Sequence, residues 1–223
     1  MKRIIRKIFH LEIAPELSNK TLFKICISYG VNLLRGFFRL RKKHVFVEKK
    51  VTIIDKKNIH FGKWLKIDRN VVLNGICSKD GFGIVLGEHC SVGINTRIEC
   101  SGSLSFLGKG FKCGNYCGLG TDCFYGCAGG IEIGNDVIVG NFVSMHSENH
   151  NYSDLELPIR LQGVNHKGIK IGNNVWIGAK STILDGSVIG NGTVVAAGAV
   201  VRGQFPDNVV LAGVPAKIIK YRS

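Results

Sequence analysis

The stretch IGNNVWIGAKSTILDGSVIGNGTVVAAGAVV, residues 171–201, decides the fold of this 223-residue chain. An aliphatic residue recurs in it at every sixth position, often followed by glycine. This period differs from the 3.6-residue period of an amphipathic helix and from the two-residue alternation of a half-buried strand. It predicts a short strand and a tight corner, repeated along the chain. The periodic residues are Ile171, Ile177, Ile183, Ile189, Val195 and Val201.

The same period extends back to about residue 60. Three six-residue units would make one triangular coil of about 18 residues, and stacked coils would bury a continuous column of side chains. Breaks in the register at 73–86, 98–107, 125–133 and 145–171 are expected to be loops that leave at corners. The inward positions predicted upstream are Phe61, Ile67, Leu73, Leu86, Val92, Ile98, Leu107, Cys113, Leu119, Tyr125, Ile133, Val139 and Met145.

The eight cysteines follow the same repeat. Cys77, Cys90, Cys117 and Cys123 fall at the position of a small buried residue, and Cys113 falls at an inward position. Cysteine behaves as a small hydrophobe in such a setting. Although Cys113, Cys117, Cys123 and Cys127 are spaced somewhat like zinc ligands, the repeat explains most of them. We therefore expect no metal and no cysteine nucleophile.

The first fifty residues differ from the remainder in composition. They hold 13 of the lysines and arginines against 3 acidic residues, and only 2 of the 29 glycines. The sequence therefore predicts a basic appendage over residues 1–50 and a glycine-rich domain over 51–223. Because no signal-peptide core and no apolar run of bilayer length is present, we expect a cytoplasmic protein.

The appendage is predicted to be helical from residue 20 to residue 41, because its apolar residues recur at steps of three and four. Two interpretations remain open. The helix could pack on the body or on a neighbouring subunit, or residues 1–47 could contact anionic lipid at the inner face of the membrane. No nucleic-acid-binding motif is present. The residues of the predicted apolar face are Leu22, Ile25, Cys26, Tyr29, Leu33, Phe37 and Leu40.

Three motifs near the end of the chain resemble the hexapeptide-repeat acetyltransferases. They are IGNNVWIG at 171–178, VAAGAVV at 195–201 and AGVPAK at 212–217. Over about residues 60–220, the sequence is similar to the branch of this family that contains galactoside and maltose O-acetyltransferases and relatives in polysaccharide biosynthesis. The resemblance implies an all-β fold, a left-handed parallel β-helix. It also implies acetyl-CoA as co-substrate and a homotrimer with active sites between subunits.

The acceptor implied by the resemblance is a hydroxyl of a sugar, a nucleotide sugar or a lipid-linked sugar. N-acetylation of an amino sugar is an alternative, because a histidine can also deprotonate an amine. Two other classes share the scaffold. One is a metal enzyme of the γ-carbonic anhydrase type, for which His146, His150 and His166 would be the candidate ligands. The other is a β-helix without catalytic activity.

The largest break in the repeat, residues 146–170, is rich in acid–base groups. It begins HSENHNYSD at residues 146–154. The resemblance places the catalytic histidine at His150, and a histidine with a pKa near ~6.5 can accept a hydroxyl proton at neutral pH. The alternatives are an ordinary solvent-exposed histidine and His146 as the base. Glu148 or Asp154 could orient the imidazole.

The resemblance also assigns binding residues. Asp122, Tyr152 and His146 would lie near the acceptor. Backbone amides of Gly178, Ala179, Ala196 and Ala197 would bind the pantetheine arm, where small side chains allow close approach. Trp176 would flank that arm, or would simply pack between subunits. The phosphates of coenzyme A would be bound by Arg202, Lys217 and Lys220, or these cations would be solvated surface charges.

Overall fold

The protein was analysed as a computed structural model, which describes residues 13–222. Apart from a two-stranded hairpin, its strands form three sheets, and these are walls A, B and C of a triangular prism. The chain visits A, B and C in turn, so its corners are A–B, B–C and C–A.

The bounds of the elements are as follows. One helix, α1, spans Asn19–Leu40, and two short 3-10 helices span Lys56–Asn58 and Ile159–Leu161. The strands are β1 Val45–Val47, β2 Thr52–Ile54, β3 Ile59–Phe61, β4 Leu65–Ile67, β5 Val72–Asn74, β6 Gly83–Leu86, β7 Ser91–Val92, β8 Arg97–Glu99, β9 Gly110–Cys113, β10 Gly118–Leu119, β11 Phe124–Gly126, β12 Ile131–Ile133, β13 Ile138–Val139, β14 Ser144–His146, β15 Asn149–His150, β16 Val164–Asn165, β17 Ile169–Ile171, β18 Trp176–Ile177, β19 Thr182–Leu184, β20 Val188–Ile189, β21 Val194–Val195, β22 Val200–Val201, β23 Gln204–Phe205, β24 Val209–Gly213 and β25 Ala216–Tyr221.

Each wall takes every third strand along most of the chain. Wall A contains β1, β4, β7, β10, β13, β18, β21, β24 and β25; wall B contains β2, β5, β8, β11, β14, β19 and β22; wall C contains β3, β6, β9, β12, β17, β20 and β23. Strands β15 and β16 form the separate hairpin.

The parallel register stacks equivalent residues of successive coils. Ile133, for example, pairs with Cys113 on one side and Ile171 on the other. This stacking buries one continuous column of apolar side chains along the prism. The predicted left-handed β-helix with a basic helical appendage is confirmed, and every predicted inward residue except Leu107 is buried.

Leu107 is a wrong prediction. Its side chain is 44% exposed, because it lies in a loop before β9 rather than inside the column. Phe111 and Cys113 of β9 are buried in its place. A six-residue step back from Cys113 passes the start of the strand at Gly110, so the period no longer applies there.

The irregular segments all leave the prism at one corner. Residues 75–82, 100–109, 127–130 and 147–168 each connect a strand of wall B with the following strand of wall C. The predicted breaks at 73–86, 98–107, 125–133 and 145–171 overlap these four segments. The B–C corner is therefore the edge on which long loops gather.

Helix α1 covers the open end of the first coil. Ser18 caps its N-terminus by accepting a hydrogen bond from the Thr21 amide at 3.1 Å. Gly36 lies so close to Val45 that a Cβ would overlap the Val45 carbonyl oxygen. Arg35 donates to the carbonyl oxygen of Val47 at 2.9 Å. The helix thus satisfies backbone groups that the first strand leaves unpaired.

The outcome for α1 differs from prediction in its buried face. The first coil begins after the helix, at Val45. Of the predicted apolar face, only Leu22 and Leu40 are buried, whereas Asn32 and Gly36 are also turned inward. Ile25, Cys26, Tyr29 and Phe37 remain exposed. Among the described residues, no helix has both the length and the apolar character needed to cross a membrane.

The cysteines lie in the column, as predicted for a repeat. Cys90, Cys100, Cys113, Cys117, Cys123 and Cys127 are buried free thiols. Burial raises the pKa of the Cys100 thiol to about 12. The sulfur atoms of Cys90, Cys113 and Cys117 lie within 4.8 Å of one another. The Cys90 and Cys117 thiols donate to the carbonyl oxygens of Gly114 and Gly134, each at 3.1 Å, so the stacked coils account for their proximity.

Candidate active site

The loop at residues 147–168 is an ordered hairpin. Strand β15 pairs antiparallel with β16, and His150 lies opposite Val164. The His150 side chain is exposed to solvent. The candidate base is therefore fixed at the root of a protruding hairpin, with its imidazole accessible.

The tip of this hairpin is closed by Gln162. Its side-chain amide donates to the carbonyl oxygens of Asp154 and Leu157, each at 2.7 Å. The Asp154 carboxylate accepts from the amides of Glu156 and Leu157. Asp154 thus holds the turn at the tip of the hairpin, and it forms no hydrogen bond with His150 among the described residues.

The base of the hairpin is fixed by Asp185, which sequence reasoning missed. This carboxylate is only 5% exposed and accepts hydrogen bonds from the amides of Lys167 and Gly168, both at 2.8 Å. The side chain of Asn149 also donates to it, at 3.2 Å. Asp185 therefore ties both legs of the loop to the next coil. The available signal was an acidic residue followed by glycine, Asp185-Gly186, at the same corner in the coil after the loop.

A polar cavity of about 290 Å³ lies beside this carboxylate. Arg202 and Lys167 place two cations at the wall of this cavity. Asn149, the residue before His150, also lines it. Arg202 consequently belongs to the B–C corner. The other residues that line the cavity are Asn165, Asp185, Gly186, Gly203 and Gln204.

His146 and Glu148 occupy different surroundings from His150. His146 lies on wall B, with its Nε2 atom 2.6 Å from the Ser144 hydroxyl oxygen and its ring 5.6 Å from that of Phe124. Glu148 is half-buried. Within residues 13–222, the side chains of Glu148 and His150 form no hydrogen bond with each other. His146 thus contacts side chains of wall B directly before the loop begins.

A second cluster lies at the A–B corner. Gly178 and Ala179 of one coil stack directly on Ala196 and Ala197 of the next. The amides of Gly178 and Ala196 donate to the carbonyl oxygens of Val195 and Leu211 in the next coil, each at 2.8 Å.

The amides of Ala179 and Ala197 differ from these two. Neither has a hydrogen-bond acceptor among the described residues. Because both side chains are small, two stacked N–H donors are open to a ligand that carries carbonyl groups. The amide and carbonyl groups of a pantetheine arm fit this donor pair.

The remaining predicted residues divide between the two corners. Asp122 is at the A–B corner and accepts a hydrogen bond from Asn95 at 2.7 Å. Trp176, 55% exposed, lies on the outside of wall A between Ile138 and Val194. Tyr152 extends into solvent from the hairpin.

The lysines of β25 lie at the far end of wall A. Lys217 pairs with Ala212 and Lys220 pairs with Val210, and both side chains are exposed. Lys217 is at the A–B end of the strand pair, one coil beyond Ala197. The structure therefore groups Lys217 with the open amides, and Arg202 with the loop.

Within a single chain, the group around His150 at the B–C corner lies apart from the open amides at the A–B corner. Wall B lies between them, and about five extended residues at ~3.3 Å each separate its two corners by roughly 16 Å. His150 is thus not adjacent to Ala179 or Ala197 in the single chain.

Comparison with known sequences agrees with this architecture. Residues 168–203 match the family model for the bacterial transferase hexapeptide (six repeats). This segment carries the hexapeptide repeat. The match covers β17 to β22. It includes Asp185 and the open amides of Ala179 and Ala197.

The chain is also similar to curated acetyltransferases. The lipopolysaccharide biosynthesis O-acetyl transferase WbbJ of Escherichia coli, itself named as putative, is 40% identical over 97 residues, 40% of this chain and 50% of that protein. The galactoside O-acetyltransferase of Escherichia coli is 36% identical over 91 residues, 40% of this chain and 43% of that protein. The chain spans half or less of the length of these relatives.

Among solved structures, the chain is similar to AntD, an N-acyltransferase from Bacillus cereus. The crystal structure in complex with dTDP and 3-hydroxybutyryl-CoA has a TM-score of 0.54 and 20% sequence identity, and the match covers 93% of this chain and 89% of that chain. At this identity the likeness supports the β-helical fold.

Proposed function

We propose that this protein transfers an acetyl group from acetyl-CoA to a hydroxyl of a sugar, in polysaccharide or glycoconjugate biosynthesis. The observation that carries the proposal is the pair of stacked amides of Ala179 and Ala197, which have no acceptor among the described residues and belong to residues with small side chains. The names of the similar enzymes WbbJ and galactoside O-acetyltransferase support it.

The complete site would lie between two copies of the chain. If the B–C corner of one subunit faces the A–B corner of its neighbour, His150 of the first meets the open amides of the second. Such a contact joins two different surfaces, and closing it by three-fold rotation gives a homotrimer. The exposed apolar side chains of Ile138 and Trp176 on wall A are suited to burial in that contact.

The same arrangement would gather the predicted cations. Arg202 lies beside the hairpin, and Lys217 and Lys220 lie beyond the open amides. Across the contact the three would surround the phosphates of coenzyme A. Asp122 and Tyr152 would likewise reach the acceptor from opposite subunits, and Glu148 could orient the imidazole once the groove is closed.

The proposed chemistry needs one base. Acetyl-CoA supplies an acyl group activated as a thioester. His150 accepts the proton of the acceptor hydroxyl while the hydroxyl oxygen forms the new ester bond, and the carbon–sulfur bond breaks. The imidazolium then returns the proton to the departing thiolate. General base catalysis of this kind contributes roughly 10²–10⁴-fold to the rate.

N-acetylation of an amino sugar is the second candidate. A tetrahydropyridine-dicarboxylate N-acetyltransferase of Clostridium perfringens is 58% identical over 50 residues, 22% of this chain and 21% of that protein. The same histidine could accept a proton from an amine. The acceptor panel below separates the two reactions.

The test is thiol release from acetyl-CoA with sugars, nucleotide sugars, amino sugars and lipid-linked sugars as acceptors. We expect His150→Ala to lower kcat/KM by roughly 10²–10⁴-fold. His60→Ala, an exposed histidine on wall C, is the matched control and should retain activity. Full activity of His150→Ala would overturn the mechanism. Loss in His146→Ala alone would move the base to wall B.

A further inference from the structure

Helix α1 carries an apolar stripe on the side turned away from the body. With about 100° per residue, the stripe is centred opposite Asn32, Gly36 and Leu40, which face the first coil. Its five side chains are exposed by 45% to 68%. This apolar face has no partner among residues 13–222, and a face of this size indicates an interaction surface. Its members are Phe23, Ile27, Val31, Leu34 and Phe38.

Both ends of this stripe are basic. Lys20 and Lys24 lie in its first turns, and Arg41, Lys42 and Lys43 follow its last turn. The helix contains no acidic residue. The pattern is therefore an apolar strip between two positively charged ends.

The neighbouring coil extends the positive charge. Exposed lysines stand at all three of its corners: Lys49 and Lys50 at A–B, Lys56 and Lys57 at B–C, and Lys63 at C–A. Between residues 13 and 64 there are twelve lysines and arginines against three carboxylates. The end of the prism that bears the apolar stripe is thus also strongly cationic.

We propose that α1 lies flat in the headgroup region of an anionic lipid bilayer. The stripe would enter the acyl boundary, and the basic ends and the lysines would contact lipid phosphates. A second copy is a poorer occupant, because packing two such helices in either direction brings like charges together. The helix is about 33 Å long, which suits it to lie along the surface. This inference does not depend on the proposed reaction.

The experiment measures binding of the full chain to sedimented vesicles. One vesicle set contains equal amounts of phosphatidylglycerol and phosphatidylcholine, and the other contains phosphatidylcholine alone. The double variant Leu34→Ser/Phe38→Ser removes the most exposed part of the stripe. Leu104→Ser/Phe106→Ser is the matched control, because it removes the same two residue types from an exposed loop at the B–C corner.

We expect the wild type to bind the anionic vesicles more tightly than the neutral ones. Leu34→Ser/Phe38→Ser should lower the partition coefficient at least about tenfold, because its side chains no longer enter the bilayer. The control pair should change it less than about twofold. Lys20→Gln/Lys24→Gln/Lys42→Gln/Lys43→Gln should weaken binding and flatten its dependence on salt.

Two results would overturn the proposal. One is wild-type binding that is absent, or unchanged in both the stripe variant and the lysine variant. The other is a larger assembly for the wild type than for Leu34→Ser/Phe38→Ser in lipid-free light scattering, which would assign the stripe to a second copy. Because the substituted side chains are exposed, circular dichroism should show native folding for every variant.

Discussion

The C–A corner and the last coils of the A–B corner have similar backbones but opposite hydrogen-bonding states. At C–A, in the coils from Asn115 to Asn191, an asparagine side chain accepts the corner amide of the preceding coil. The Asn135 amide donates to Asn173, and the Asn173 amide donates to Asn191, both at 2.8 Å. At A–B, Asn141 still accepts the Thr121 amide at 3.1 Å. In the next two coils Ala179 and Ala197 occupy the equivalent positions, and their amides are unpaired among the described residues.

The difference shows how a repeat can place a binding surface without changing its path. An asparagine at the corner consumes the outward amide and closes that edge. An alanine leaves the donor free and also removes the bulk that would block a ligand. The choice of one side chain per coil thus decides which edge of the prism can bind.

The largest effect is expected from Ala197→Asn, which would place an asparagine at the A–B corner where the Ala179 amide has no acceptor. The new side-chain oxygen could accept the Ala179 amide, as Asn191 accepts that of Asn173. Losing one donor and adding bulk should raise the KM for acetyl-CoA about 10–100-fold. Steady-state kinetics with varied acetyl-CoA measures this, and an unchanged KM would exclude the corner as the cofactor groove.

The B–C corner provides a third arrangement, which Asp185→Asn would test. This variant removes the charge that holds the amides of Lys167 and Gly168 and the side chain of Asn149. We expect about a tenfold loss in kcat/KM through loosening of the hairpin. The KM for acetyl-CoA should change little.

Limited proteolysis gives an independent measurement of the same variant. Cleavage within residues 151–162 should be faster in Asp185→Asn than in the wild type. Equal cleavage rates together with normal kinetics would show that the carboxylate does not position the loop.

The smallest effect is expected from opening the closed corner with Asn173→Ala. This variant removes the acceptor of the Asn135 amide at an exposed position. It should cost about 1 kcal/mol of unfolding free energy, visible as a lower Tm. Acetyl-CoA kinetics should stay at wild-type values. A raised KM would mean that the C–A corner, and not A–B alone, contacts the cofactor.

The two kinds of corner also show what the sequence could predict. The buried column was predictable because each coil buries an apolar residue at the same position of the six-residue repeat. The prediction was wrong for Leu107, because an insertion before β9 interrupts the repeat there. His150 stood out because its loop breaks the repeat. Asp185 did not, because its hydrogen bonds join segments 17 to 36 residues apart. The resemblance assigned the amides of Ala179 and Ala197 to the cofactor, but their lack of acceptors among the described residues could be seen only once the register was known.

A stack of similar coils has no intrinsic length limit, since each exposed end is a template for another coil. In this molecule both ends are blocked. Arg35 and Arg39 of α1 occupy the carbonyl groups of Val47 and Val51 at the first coil. At the other end, β25 folds back antiparallel on β24. The two caps thus prevent further coils from adding to the prism, so the number of coils stays fixed.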